Sequence, residues 1–98
     1  MARDRTKLED AEVRTWLVAH PGWALEGGMI RRTYAFADFR AAMAFVNRVA
    51  DAAEAADHHP DIDIRYAKVT LALVTHDAGG LTARDTRLAA EADALAAT

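Results

Sequence analysis

The apolar positions of this chain change period several times, and each change marks an element. From residue 37 to about 57, Phe39, Ala42, Met43, Val46, Val49, Ala50 and Ala53 recur at three-and-four spacing, while Arg40, Asn47, Arg48, Asp51 and Glu54 mostly fill the opposite face. That spacing predicts a long central helix. Pro60 disfavours helical geometry at His59, so the helix is expected to end at or just before the pair His58-His59. Thr6-Lys7-Leu8-Glu9 reads as a capping box with Thr6 as N-cap, and Pro21-Gly22 supplies a stop, which predicts a first helix over residues 7–19. Residues 23–26 and 29–36, parted by Gly27-Gly28, predict a β-hairpin. Residues 62–66 and 69–75 carry strand composition. In the latter, Val69, Leu71 and Leu73 share one face, and Thr70, Ala72, Val74 and His76 share the other. A second box-like sequence, Thr82-Ala83-Arg84-Asp85, opens an alanine-rich last helix running to Thr98, with Leu88, Ala92 and Leu95 on one side.

The predicted order is α-β-β-α-β-β-α. Short strands with tight connections favour a four-stranded antiparallel sheet, and the three amphipathic helices must bury their stripes on one of its faces, which makes an α+β fold. Ninety-eight residues, 52% hydrophobic and 28% charged, suit one domain over residues 1–98 with a modest core. A net charge of −3 gives no basic field, so direct nucleic-acid binding is not expected. With no cysteine there is neither a disulfide framework nor a thiolate metal site, which suits a reducing cytosol. The first fifteen residues are studded with charge, and no later run approaches membrane-spanning length. The expectation is a soluble, cytoplasmic protein without membrane association.

The candidate chemistry lies in the histidines. His58 and His59 stand at the expected C-terminus of the central helix, with Glu54 one turn back from His58, and His76 stands at the end of the last strand. Taken alone, each has a plain explanation. A cationic residue in a last helical turn gains roughly 0.3–1 kcal/mol from the helix dipole. His76 alone reads as a strand-end surface residue, Asp85 as a capping-box carboxylate, Glu54 as part of a solvated helix face, Tyr66 as core packing and His20 as a surface residue. Imidazole is nevertheless the side chain that exchanges protons near neutrality, and two or three of them supply both halves of an acid/base cycle. A metal site fits less well, because adjacent imidazoles converge poorly on one ion and no His-x-x-x-His pair is present. No Gly-x-Ser-x-Gly elbow and no phosphate-binding glycine loop occur either.

The ordered pattern Glu54, His58-His59-Pro60, Tyr66, His76, Asp85 resembles the signature of pterin-4a-carbinolamine dehydratases. The likeness extends from the Leu17/Trp23 region through Phe36, Phe39 and Phe45 to the run from Thr75 to Thr82. The resemblance implies dehydration of 4a-hydroxytetrahydrobiopterin to quinonoid dihydrobiopterin, a lyase step in tetrahydrobiopterin recycling that needs no cofactor and no metal. It implies His58 and His76 as acid and base on the 4a-hydroxyl and His59 as a residue that positions the pterin. Glu54, Asp85 and the backbone near Thr75 are implied as orienting or pterin-binding groups. Implied partners are the pterin, a second or further copies in a homodimer or homotetramer, and a functional link to an aromatic amino-acid hydroxylase. The chain departs from the pattern at Ile62, where a bulky aromatic often stands, which bears on pocket shape. A different class of function remains open beside this one: a non-catalytic oligomeric interaction protein, or a dimerisation cofactor for a transcription factor.

Overall fold

The computed structural model describes residues 2–98. After a 3-10 turn (Ala2–Arg5), the elements are α1 (Asp10–Ala19), β1 (Ala24–Glu26), β2 (Met29–Ala35), α2 (Phe39–Ala56), β3 (Asp61–Arg65), β4 (Lys68–Leu73) and α3 (Ala83–Ala96), with a further 3-10 turn at His76–Ala78. The expected α-β-β-α-β-β-α order therefore holds. The four strands form one antiparallel sheet in the order β1-β2-β4-β3. Gly27 and Gly28, at φ 59° and 80°, join β1 to β2. Two consecutive left-handed residues match the right-handed twist of the flanking strands, and this conformation disfavours a residue with a Cβ.

Register explains which face is covered. Ile30 pairs with Leu73 and Tyr34 with Val69 across β2 and β4, so these side chains stand on one side of the sheet with Leu71. All five are buried. Against them α2 lays Ala42, Phe45, Val49 and Ala53, α3 lays Leu88, Ala89 and Ala92, and α1 contributes Val13. Phe45 sits at the centre, its ring 4.7 Å from that of Tyr34 and 5.0 Å from that of Phe36. On the opposite face the hydroxyls of Thr33 and Thr70 meet at 2.7 Å in an exposed position. That alternation is what a one-sided sheet requires.

One carboxylate ties the first half of the chain to α3. Asp93 accepts from Trp23 Nε1 at 3.1 Å, from Arg32 Nη1 at 3.1 Å and from the Tyr34 hydroxyl. Burial, and then the bond to the Asp93 carboxylate, push the Tyr34 phenol well above its ordinary value of 10.0. A folded-state value raised above the unfolded one means that this contribution to stability is complete below about pH 10 and is lost as pH climbs further. Tyr34→Phe is therefore expected to cost about 1–2 kcal/mol near neutrality and to flatten the alkaline loss of stability above about pH 10. Denaturant titrations between neutral and strongly alkaline pH read both effects; an unchanged alkaline slope refutes the second.

Four sequence expectations need correction. The first helix begins at Asp10 rather than Lys7, and the box is Glu9 with Glu12, not Thr6 with Glu9. The cause is tertiary: Leu8 packs on the core and its N–H donates to Leu81 O at 2.8 Å, which holds this segment out of the helix. α2 starts two residues late because Asp38 caps it through Ala41 N, and Phe39 is left half exposed. Tyr66 is no core residue: it is 71% exposed at φ 51° in the turn between β3 and β4. His20 is half-buried, stacked on Trp16 with centroids 4.1 Å apart.

Candidate functional site

The end of α2 delivers the histidine pair. Asp57 takes the left-handed conformation at φ 50°, and His58 N–H reaches back to Ala53 O at 3.1 Å, a closure that satisfies otherwise orphaned helix carbonyls. Arg84, from the first turn of α3, donates to Asp57 O at 2.6 Å and braces the same end. Pro60 then turns the chain into β3. Because Asp61 pairs with Ala72, residues just before β3 run beside those just after β4, which brings His58 to the level of Thr75.

The two segments meet at Asp85. This carboxylate, 0% exposed, occupies the third helical position of α3. Its Oδ2 accepts from the N–H of Thr82 at 2.9 Å and from the Thr75 hydroxyl at 2.8 Å. Its Oδ1 lies 2.6 Å from Nε2 of His58, a ring only 8% exposed. With Thr75 committed as donor to Asp85, the Thr82 hydroxyl donates to Thr75 Oγ1 at 2.9 Å and accepts from Arg84 N–H at 3.2 Å. Every hydrogen bond within this buried cluster of side chains thus has a defined direction. An ionised Asp85 only accepts, so His58 carries a proton on Nε2 and presents Nδ1 as its remaining ring nitrogen.

The other candidates are more open to solvent. His59 Nε2 meets Glu54 Oε2 at 2.5 Å, and both side chains are exposed. His76, also exposed, follows Thr75 directly at the start of a tight loop that closes where Thr75 N–H donates to Gly80 O at 3.1 Å. His76 lines a cavity of about 740 Å³ with Lys7, Val13, Met29 and Gly80. His58 lines a separate, smaller cleft of about 140 Å³ with Arg84 and Glu91. The structure therefore joins His58, Thr75 and Asp85 in one hydrogen-bonded cluster and joins Glu54 to His59. His76 stands one residue from the cluster, with its ring on another cavity wall. Each of these two cavities is lined by one of the three imidazoles, His76 in the larger and His58 in the smaller.

Two residues in this arrangement were not singled out from sequence. Thr82 reads there only as a helix cap, yet its hydroxyl supports Thr75 inside the cluster. Arg84 sits within the same cap motif and carries no periodic signal; only the docking of α3 reveals that it braces α2.

The sequence model of the family described as pterin 4 alpha carbinolamine dehydratase matches residues 6–95. A protein of Acidobacterium capsulatum bearing the name "Putative pterin-4-alpha-carbinolamine dehydratase" is 65% identical over 89 residues, 91% of this chain and 97% of its own length. A namesake in Chloroflexus aurantiacus is 56% identical over 89 residues, again 91% of this chain and 96% of its own. Among solved structures, a transcriptional coactivator/pterin dehydratase from Brucella melitensis superposes with a TM-score of 0.89 at 33% identity, over 93% of this chain and 99% of that one. A pterin dehydratase-like protein described as a RuBisCO assembly factor in the alpha-carboxysome gives a TM-score of 0.68 at 26% identity, over 79% of this chain and 92% of that one. The match runs from before α1 to the last turn of α3 and takes in every element of the sheet, so the chain belongs to the pterin 4 alpha carbinolamine dehydratase family.

Proposed function

We propose that the protein is a hydro-lyase that converts 4a-hydroxytetrahydrobiopterin to quinonoid dihydrobiopterin by histidine acid/base catalysis, in tetrahydrobiopterin recycling. Family membership supports dehydratase activity in general and a pterin as substrate. In the finer reading, one imidazole protonates the departing 4a-hydroxyl. The neighbouring ring nitrogen pushes its electron pair toward C4a, the C–O bond breaks, and water leaves. A second group accepts the proton from that nitrogen. His58 and His76 take acid/base duty on the 4a-hydroxyl, His59 binds the pterin, and Glu54 orients His59. The backbone and hydroxyl of Thr75, together with Asp85, hold the arrangement.

The observation that carries the reading is the Asp85 junction. A buried carboxylate fixes the tautomer of His58 and, through Thr75, the start of the loop that bears His76. Such orientation of a proton-transferring ring by a buried acceptor is what acid/base catalysis needs and what simple packing does not. The direct test gives the purified protein a freshly generated 4a-carbinolamine pterin and follows water loss by absorbance. Acceleration well above the spontaneous rate is expected; a rate equal to the blank ends the proposal. The same reading implies a cytoplasmic protein that serves an aromatic amino-acid hydroxylase. No helix among the described residues is long and apolar enough to cross a membrane.

A second reading is that of an interaction protein. It is favoured by the descriptions of the two structural relatives, one as a transcriptional coactivator/pterin dehydratase and one as an assembly factor. The unpaired outer edge of β3, where Ile62 and Ile64 are each more than a third exposed, suits assembly into a homodimer or homotetramer. Sizing of the same preparation separates the cases: an oligomer without dehydration supports this second reading alone.

A further inference from the structure

The cavity beside His76 has a composition that acid/base chemistry on a ring does not require. Its inner wall is apolar, with Val13 and Met29, while Lys7 and Arg14 stand at its rim. Both cations are exposed, and neither is paired with a carboxylate among the described residues. Asp10 also lines the cavity and offsets one of the two charges. Lys7 does not wander freely. A Cβ built on Gly80 comes within 2.7 Å of Lys7 Cε, so the lysine stem lies flat against the backbone of the loop that carries His76. The bond from Leu8 N to Leu81 O clamps the same two segments together. The Lys7 stem is thus held against the loop that bears His76. At about 740 Å³ the cavity falls within the ordinary range for small-molecule sites.

Resting on the dehydratase reading, we infer that this cavity receives the C6 substituent of the pterin, and that Lys7 and Arg14 select pterins whose substituent is anionic, a carboxylate or a phosphate ester, over those with a neutral polyol. A neutral polyol arm can accept hydrogen bonds from these cations but forms no ion pair with them. An anionic arm gains two charge-assisted contacts while the flat ring keeps its place beside His76.

Dissociation constants of stable oxidised pterins, measured by quenching of pterin fluorescence, test the inference without depending on turnover. The probes are biopterin with its neutral arm, 6-carboxypterin, and the phosphate ester of neopterin. At low ionic strength the anionic pterins are expected to bind about five- to tenfold more tightly than biopterin, with the preference shrinking as salt rises. The double variant Lys7→Met/Arg14→Met keeps both apolar stems, and hence the contact with Gly80, and is expected to bring the ratio to about one. A preference for the phosphate ester alone, or for both acids, identifies which anion the cavity takes. Equal affinities in the unaltered protein overturn the inference, and so does a preference that survives in the double variant. Failure of every pterin to bind removes the dehydratase reading with it, whereas equal binding alongside intact dehydration removes this inference alone.

Discussion

Replacing His76 by alanine is expected to lower the dehydration rate by about 10²–10⁴-fold, the usual contribution of a general acid or base. His76 is exposed and makes no hydrogen bond through its ring with another described residue, so its loss should leave stability within about 0.5 kcal/mol of the parent. That separation makes it the cleaner of the two histidine tests. His58→Ala should produce a loss of similar size, but it also strips Asp85 Oδ1 of its donor inside the protein, and part of its effect is structural. His59→Ala is expected to act on KM more than on kcat, as suits a residue that positions substrate. Stopped-flow dehydration assays on the three variants decide the matter. Unchanged rates in both His58→Ala and His76→Ala remove the assignment.

Asp85→Ala carries the largest expected effect on stability, a loss of roughly 3–5 kcal/mol, because one buried acceptor serves three donors from three segments. His58 Nε2, the Thr75 hydroxyl and the Thr82 N–H all lose their partner together. Asp85→Asn is the informative companion. Its amide oxygen can still accept from Thr75 and Thr82, but its NH2 faces His58 and requires that ring to accept on Nε2 and carry its proton on Nδ1. The asparagine variant should therefore fold with a much smaller penalty and still lose about 10²-fold or more in dehydration rate. Urea unfolding paired with the rate assay separates the two outcomes. A stable Asp85→Ala protein, within about 1 kcal/mol of the parent, would falsify the structural role, and full activity in Asp85→Asn would exclude control of the tautomer.

The fold could be read from sequence because its signals were local and mutually consistent. Period-two runs, the Gly27-Gly28 turn and the apolar stripe of α2 each report their own geometry without reference to distant residues. The errors arose where a distant partner decided the outcome. Thr6 carries the chemistry of a cap, yet Leu81, far along the chain, claims the backbone beside it. Tyr66 has strand composition, yet the hairpin needs a turn where it stands. The site shows the same division. His58, Asp85 and Thr75 could be named from the family pattern, and Thr82-x-x-Asp85 from cap chemistry. That Asp85 is fully buried and points at His58 depends on how α3 docks against α2, which no spacing encodes. The cationic rim at Lys7 and Arg14 was invisible for the same reason: it forms where α1 and the segment before it meet a loop far along the chain.

Asp57 and Tyr66, the non-glycine residues with positive φ among those described, bracket β3. Left-handed backbone costs roughly 1 kcal/mol or more in a residue with a Cβ. At Asp57 the Arg84 brace and the helix closure compensate. At Tyr66, largely solvated, no such brace is made among the described residues. Engineering for thermal tolerance should therefore begin at that hairpin tip, where asparagine accepts the conformation and removes a wetted aromatic, and not in the core, where side chains such as Phe45 and Val49 are already fully buried.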